Sequence, residues 1–285
     1  MTASYSFQGA PGAFSHQAAM AFSEQIGEPG KFVPCQTFGQ VFANVVSGNT
    51  KYGAIPLENS SIGSIAANYD LLWTDDAFII AEYFLPVHHN LIAFPDSKLE
   101  NIRTVFSHPA ALDQCRRLFK EHPNMAARVH WDTSGSVADV RTSADRSAAA
   151  IAGELAAAEY GMKILLPNIE DFTHNATRFG LITKTADGRA VAAKVKAPYK
   201  VSFAVELSHK AGSLAGLLTK LASAGANLTK IESRPIGERV WHYRFFMDIE
   251  LSSPELESKI ESAFKQDGEN YKSLGKFAIG AQPTE

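Results

Sequence analysis

The sequence predicts an α/β protein in two parts: two α/β lobes with a cleft between them, then a small βαββαβ plait. Three observations predict it. Short apolar strand patterns alternate with amphipathic helical patterns from Tyr5 to Thr183. Residues 185–197, with Asp187-Gly188, several alanines and scattered Lys and Arg, read as a linker. Beyond them, period-two and helical patterns recur in the order βαββαβ. A chain of 285 residues also exceeds what one typical core needs, so two domains are the default.

Tyr5 and Phe7 lie on a short strand ending at Gln8-Gly9, and residues 9–12 form a turn. Ser15 is placed to cap a helix with Ala18, Ala19, Phe22 and Ile26 on its apolar face. Residues 31–34 read as a strand. Thr37 then caps a helix with the stripe Phe38, Val41, Phe42 and Val45. Residues 53–57 form a strand that feeds a polar turn. From Ile79 a long extended stretch runs through Tyr83, Leu85, Val87 and Leu91. Val105-Phe106 ends in Ser107-His108-Pro109, which opens a helix bearing Leu112, Cys115 and Leu118. Val129-His130-Trp131 reads as a strand ending at Asp132-Thr133-Ser134. The alanine-rich residues 147–160 predict a helix. Residues 162–166 and 178–183 read as returning strands.

In the second part, Val201, Phe203, Val205 and Leu207 alternate as on a half-buried strand. Leu214, Leu217, Leu218, Leu221 and Ala222 keep helical spacing, with Gly225 placed to end that helix. Leu228 and Ile231 mark a second strand. Trp241, Tyr243, Phe245, Met247 and Ile249 mark a third. Pro254 starts a helix with Leu256, Ile260 and Phe264, and residues 271–279 make the last strand. The order is that of a ferredoxin-like plait.

Composition narrows the function classes. A hydrophobic fraction of 45% and a charged fraction of 20% are those of a soluble globular protein. A net charge of -3 supplies no basic field for nucleic acid. Two cysteines, Cys35 and Cys115, cannot build a disulfide framework or a four-thiolate metal site. The first basic residue is Lys31, so no signal peptide is expected, and no stretch reaches membrane-span length. The expected location is the cytoplasm. No carboxylate stands at metal-ligand spacing from His88-His89, and no glycine-rich nucleotide motif is present, so neither a metal nor another cofactor is expected.

Four polar clusters fall where strands end: residues 9–15, 58–61, 107–109 and 133–134. Helices starting there would aim free N–H groups at a small anion, but ordinary caps and turns have the same composition. Thr177-Arg178-Phe179 joins a hydroxyl, a fixed charge and an apolar ring, and equally reads as the start of a strand with Phe179 buried. The residues alone lead to a two-lobed α/β domain binding a small anion, plus a βαββαβ module.

Longer strings carry a resemblance. Phe7-Gln8-Gly9 with residues 12–19, residues 53–60, Ser107-His108-Pro109 with Gln114-Cys115, and Asn175-Ala176-Thr177-Arg178-Phe179 resemble the prephenate dehydratase family over nearly the whole chain. Residues 225–235 resemble an ACT domain. The resemblance implies a catalytic domain over 1–184, two-lobed like type 2 periplasmic binding proteins, the linker over 185–197, and an ACT regulatory domain over 198–285. It implies the loss of carbon dioxide and water from prephenate to give phenylpyruvate. It makes Thr177 the essential residue near the departing hydroxyl. Arg178 would hold the pyruvyl carboxylate or brace the site, and Phe179 would supply an apolar wall. Asn59, Ser107 and Gln114 would line the substrate site, with Glu58, Ser60, Thr133 and Ser134 as neighbours.

The same resemblance implies feedback by L-phenylalanine, with Gly212, Ser213 and Leu214 at its carboxylate and Asn227 nearby. Glu232, Ser233 and Arg234 would belong to the effector site and carry its change to the cleft. A homodimer or homotetramer through ACT domains is implied. The family commonly has Pro-Gly-Ala-Leu where this chain has Ala211-Gly212-Ser213-Leu214, which bears on effector binding. It often has Gln where this chain has Ala110, which bears on the substrate site. An arogenate or dual-specificity dehydratase fits the same strings. A non-catalytic aromatic amino acid sensor is the rival of another class, although a sensor has no need of Thr177-Arg178-Phe179. No mutase helix bundle precedes Tyr5, so a fusion with chorismate mutase is not expected.

Overall fold

The structure, a computed structural model, describes residues 2–237 and 242–282. The first lobe begins with β1 (Ala3–Gln8), α1 (Phe14–Gln25), β2 (Gly30–Cys35), α2 (Phe38–Ser47) and β3 (Tyr52–Asn59). It continues with β4 (Gly63–Ser64), α3 (Ala66–Thr74) and β5 (Ala77–Pro86). The chain then crosses into the second lobe: β6 (Asn90–Ala93), β7 (Thr104–Ser107), α4 (Pro109–Asp113), α5 (Arg116–Glu121) and β8 (Ala126–Val129). This lobe ends with α6 (Thr133–Ser143), β9 (Ala148–Ala152), α7 (Glu154–Glu159) and β10 (Lys163–Leu166). The chain returns as β11 (Ala176–Lys184) and α8 (Thr185–Ala192). The last part is β12 (Tyr199–Leu207), α9 (Ser213–Ser223), β13 (Asn227–Pro235), β14 (Tyr243–Leu251), α10 (Pro254–Asp267) and β15 (Gly268–Ala278).

The first lobe's sheet has the order β5-β11-β3-β1-β2, with the returning strand β11 antiparallel to both neighbours. The second lobe is a separate five-stranded sheet, β10-β6-β9-β7-β8. Two segments connect the lobes, residues 87–89 and 167–175, so whatever lies beside both sits between the two sheets. The last part is the expected plait, with strand order β13-β14-β12-β15. It does not stand apart: β15 pairs with β5 where Gly275 faces Ile79, giving one ten-stranded sheet. Ala204, Phe246, Leu274 and Phe277 share a core with Ile55, Tyr69 and Ile79.

Several local expectations hold. Thr37 caps α2, its Oγ1 accepting from Gln40 N at 3.2 Å. Gly225 takes the left-handed φ of +86° just past α9, where a Cβ would cost energy. Others are corrected. Ser15 is no cap: α1 begins at Phe14, and Ser15 is buried inside it. The extended stretch from Ile79 breaks at residues 87–89, where the chain crosses between lobes. The helix after Pro109 breaks at Gln114 and restarts at Arg116, whose N–H and that of Arg117 donate to Asp171. The strand expected at 129–131 ends at Val129, and α6 follows Asp132, whose side chain caps it through Gly135 N at 2.6 Å. Helix α3 went unread. Trp241 lies outside the described residues.

The helix expected over 147–160 is the larger error. Residues Ala148–Ala152 form β9, all five buried and hydrogen-bonded to β6 and β7, and only α7 remains helical. Alanine's helix preference is worth less than about 1 kcal/mol per residue. A central strand position overrides it, and the small side chains let α6 pack closely on β9. Residues 185–197 are not a bare linker either. Helix α8 lies on β5, with Gly188 so close that a Cβ would sit 2.8 Å from Phe78 Cβ. Among the described residues no helix is long and apolar enough to cross a membrane.

The junction between plait and lobe depends on Gly275, because a Cβ there would lie 2.5 Å from Ile79 Cβ and 2.7 Å from Ile79 O. The substitution Gly275→Ala is expected to destabilise the protein by about 1–3 kcal/mol, the usual cost of overpacking. Urea unfolding measures it, and an unchanged midpoint would mean the two strands can part freely.

Candidate active site

Strand β11 puts Thr177 opposite Asn59 and Leu85, and Arg178 opposite Glu58 and Phe84. Adjacent strand residues face opposite sides, so the three residues 177–179 do not act on one ligand together. Thr177 faces the lobe-crossing segments with Asn59. Phe179 follows on that side of the sheet but lies deeper, in the core under α1 with Phe7, Phe22 and Leu85, and is 2% exposed. It therefore packs the first lobe and is not a wall of the site.

Around Thr177 the hydrogen bonds have a readable direction. The Ser61 and Ile62 N–H groups can only donate, and both reach Asn59 Oδ1, at 2.9 and 3.1 Å. Asn59 Nδ2 is therefore its donor end. It lies 2.9 Å from Thr177 Oγ1 and 2.8 Å from Asn175 Oδ1. With Asn175 Oδ1 accepting, Asn175 Nδ2 donates to Gln114 Oε1 at 3.0 Å. Thr177 Oγ1 thus accepts from Asn59, and its own hydrogen meets no acceptor among the described residues. A hydroxyl held this way is set up to donate to a ligand.

The crossing segments hold the partners. Asp171 N donates to Gln114 O at 2.6 Å, and Asp171 caps α5, so residues 167–175 fix Gln114 from both sides. His88 and His89, adjacent in sequence, face different ways. His88 Nδ1 meets Glu170 at 2.8 Å, and His89 Nε2 meets Gln114 Oε1 at 2.8 Å. Burial holds the His89 imidazole below the ordinary histidine value, outweighing the hydrogen bond to Gln114 and the nearby Glu170. Among the described residues no group of three metal-ligating side chains forms.

Other expected site residues sit apart from this chain. Ser107 is fully buried and its hydroxyl donates to Ile151 O at 2.7 Å, tying β7 to β9. Ser134 is fully buried, its hydroxyl donating to Pro11 O. Thr133 opens α6 beside it, its carbonyl accepting from Ser136 Oγ at 2.5 Å. Ser134 joins the turn at residues 9–12 to the second lobe, as does Asp132 with Ala10 N at 3.2 Å. Ser60 closes the β3–β11 end, donating to His174 O at 3.1 Å and accepting from Ala176 N at 3.0 Å.

Arg178 and Glu58 occupy the opposite face. Arg178 Nε meets Glu82 Oε2 at 2.7 Å and Nη1 meets Asp248 of β14, all three side chains buried. Lys200 Nζ completes the group at 2.9 Å from Glu82, and Ser202 Oγ donates to Asp248 at 2.5 Å. Burial opposes the guanidinium charge, but Asp248 and Glu82 outweigh it and push its pKa above the ordinary arginine value. The expectation that Arg178 holds a substrate carboxylate is therefore corrected to its alternative, a brace, because strand alternation turns it toward the plait. A cavity of about 830 Å³ opens on this face, lined by Glu58, Phe84, His88, Arg178, Lys200 and Thr229 among others. The Thr177 hydroxyl does not line it. Glu82 and Asp248 went unread in the sequence. The signal was there: Glu82 is the one carboxylate of β5, and Asp248 directly follows the apolar run Phe245-Phe246-Met247 of β14.

In the plait, a smaller cavity of about 280 Å³ lies between the β12–α9 loop and β14. It is lined by Ser208, His209, Lys210, Ser213, Leu214 and Tyr243 among others. Gly212 precedes α9 with a left-handed φ of +86°. The other expected effector residues lie elsewhere. Asn227 meets Glu250 at 2.8 Å. Glu232 accepts from Ser64 at 2.9 Å and Arg234 pairs with Asp70 at 2.8 Å, so both face the first lobe. Ser233 lies between them on β13, opposite Phe245. Edge strand β13 serves as the contact surface, which is why its polar residues do not meet the cavity.

Known proteins similar to this chain cover nearly its whole length. A family model described as prephenate dehydratase matches residues 5–187. The prephenate dehydratase of Methanocaldococcus jannaschii is 38% identical over 271 residues, 94% of this chain and 95% of the relative. A solved prephenate dehydratase from Arthrobacter aurescens, in complex with L-Phe, superposes with a TM-score of 0.87 at 28% identity, covering 97% of this chain and 90% of that one. A structure described as GqqA, a novel type of quorum quenching acylase, superposes with a TM-score of 0.83 at 30% identity over 98% of both chains.

Two outcomes follow from the buried charges. Arg178→Met leaves Glu82 and Asp248 uncompensated, and is expected to cost about 3–5 kcal/mol of stability in a denaturant titration. A variant of normal stability with only a raised KM would instead put Arg178 on the substrate. His89, whose pKa lies below its ordinary unfolded value of 6.5, favours the folded state when neutral. Its contribution is present above that value and is lost as pH falls through the folded pKa. His89→Gln is expected to flatten part of the stability decline from about pH 7 to about pH 5. Part remains, because burial lowers the His16 pKa too. An unchanged decline would mean His89 is not held neutral.

Proposed function

This chain belongs to the prephenate dehydratase family, carbon–oxygen lyases of phenylalanine biosynthesis, and from that premise we propose that it converts prephenate to phenylpyruvate on the Thr177 face of β11. The observation that carries the reading is the 2.9 Å bond from Asn59 Nδ2 to Thr177 Oγ1, which makes the hydroxyl an acceptor there and frees its hydrogen. In the reaction the ring carbon–oxygen bond breaks with its electron pair going to oxygen. The bond to the ring carboxylate breaks, and that pair enters the ring as carbon dioxide leaves. One proton is consumed in making water. Thr177 donates a hydrogen bond to the departing hydroxyl, directly or as a link in a relay from solvent. Gln114 binds the substrate beside it, Asn59 orients the Thr177 hydroxyl, and Arg178 holds β11 in place from behind. Keeping the Arg178 charge off the ring carboxylate suits decarboxylation, since a cation there would stabilise the ground state.

The plait is an ACT domain in this reading, with the catalytic part ending near residue 184 and the plait beginning near residue 198. L-Phe, bound by the Arthrobacter aurescens protein, would occupy the cavity at Ser213 and Leu214, its carboxylate on the free N–H groups of α9. Glu232 and Arg234 would pass the change to the first lobe through Ser64 and Asp70. Paired ACT domains would make a homodimer or homotetramer. The two lobes joined by two crossing segments suit a type 2 periplasmic-binding-protein architecture. Arogenate, which carries an amine where prephenate has a ketone, is the second substrate to try. The acylase description of GqqA finds no support at Thr177, because an acyl-transfer nucleophile gives its proton to a base and the Thr177 hydroxyl hydrogen meets no acceptor among the described residues.

The test is phenylpyruvate formation from prephenate, with arogenate and L-phenylalanine as added arms. Thr177→Val keeps the shape and removes the hydroxyl, and is expected to lower kcat roughly 10²- to 10³-fold, while Thr177→Ser retains more. Near-normal turnover by the valine variant would remove Thr177 from the chemistry. Turnover unaffected by phenylalanine would keep the enzyme and sink the effector site.

A further inference from the structure

The hydrogen-bond direction imposed by the Ser61 and Ile62 N–H groups does not stop at Thr177. It passes through Asn59 and Asn175 to Gln114 Oε1, which accepts from Asn175 Nδ2. The same oxygen lies 2.8 Å from His89 Nε2. An oxygen already engaged as an acceptor needs a donor there, so His89 Nε2 carries the hydrogen and Nδ1 is the bare nitrogen. Nδ1 is buried and has no partner among the described residues, which agrees with a neutral ring. The ring is held on other sides: its own backbone N–H donates to Glu170 at 2.9 Å, and the Phe14 ring meets it edge-on at 5.6 Å. His89 itself is 3% exposed, whereas Gln114 is half-buried, and no partner takes Gln114 Nε2 among the described residues.

We propose that His89 is a positioning residue: as the Nε2–H tautomer it donates to Gln114 Oε1 and, with Asn175, holds the Gln114 amide so that its NH₂ group faces the substrate. Two donors on one amide oxygen leave a single orientation open to the side chain. With one of them removed, the half-buried Gln114 can turn its oxygen toward solvent or ligand. A site built to donate would then present an acceptor to an anionic substrate. His89 sits on the 87–89 crossing and Asn175 on the 167–175 crossing, so both connections between the lobes grip the same atom. The role of Gln114 toward substrate rests on the prephenate reading above. The tautomer of His89 does not.

Two experiments on the full-length chain decide it. Long-range ¹H–¹⁵N spectra of the histidine rings are expected to show His89 as the neutral Nε2–H tautomer, and the Nδ1–H tautomer or a cation at neutral pH would overturn the proposal. In prephenate turnover, His89→Leu is expected to lower kcat/KM about tenfold, the loss of one oriented hydrogen bond. His89→Gln, which can still donate, is expected to recover most of it. In a Gln114→Ala background the leucine substitution is expected to cost less than about twofold, because the effect runs through that amide. An unchanged kcat/KM in His89→Leu, or the same tenfold loss with Gln114 absent, would overturn it. If the leucine variant does not fold, the tautomer alone still decides between the two outcomes. Wild-type protein inert toward prephenate would sink the reaction and leave the tautomer result standing.

Discussion

Glu82, Arg178, Lys200 and Asp248 can stay charged away from water only while β5, β11, β12 and β14 hold them in contact. Each comes from a different strand, and the strands come from both the first lobe and the plait. Separating the two parts would strand buried charges on both sides, so the plait is bound to the lobe by electrostatics as well as by a shared apolar core. Arg178 is the residue next to Thr177. The strand that presents the hydroxyl is therefore the strand that the charges grip, and one peptide unit separates the structural anchor from the hydroxyl proposed for the chemistry.

A second constraint acts on the other face. Main-chain N–H groups at Ser61 and Ile62 have no freedom of polarity, and they orient Asn59. Every later amide in the chain inherits its direction from that start. The result is a site whose donors are fixed before any ligand arrives, which lowers the reorganisation needed when charge moves. The β4 turn that supplies those N–H groups also meets Glu232 and Lys230 of the plait through Ser64 and Glu58. Site and plait thus share a turn as well as a strand.

This arrangement gives the regulatory reading a physical form. A ligand in the β12–α9 cavity can alter the site only by favouring one arrangement of the plait against the first lobe. The contacts that would differ are those of β13 with Ser64 and Asp70, and of Asp248 with Arg178. The lobe residues in these contacts lie on β4, α3 and β11, beside the strand and the turn that shape the Thr177 face.

Much of this protein was legible in the sequence because short-range pattern carries it. Period-two stripes marked β12 and β14, a threonine marked the start of α2, and a glycine marked the end of α9. The strings around Asn59, Gln114 and Thr177 marked three residues that the fold brings into one hydrogen-bonded chain. The alanine-rich segment misled because helix propensity is a small energy beside the burial of a central strand. Arg178 was legible as a fixed charge, but its partners lie 96 and 70 residues away in sequence. Which face of β11 it takes, which way each amide points and which nitrogen of His89 holds hydrogen are properties of pairing across the sheet. Sequence alone determined the elements and the residue types available for chemistry. Tertiary structure decided their direction, because only register and burial specify which group donates, which accepts and which charge is neutralised.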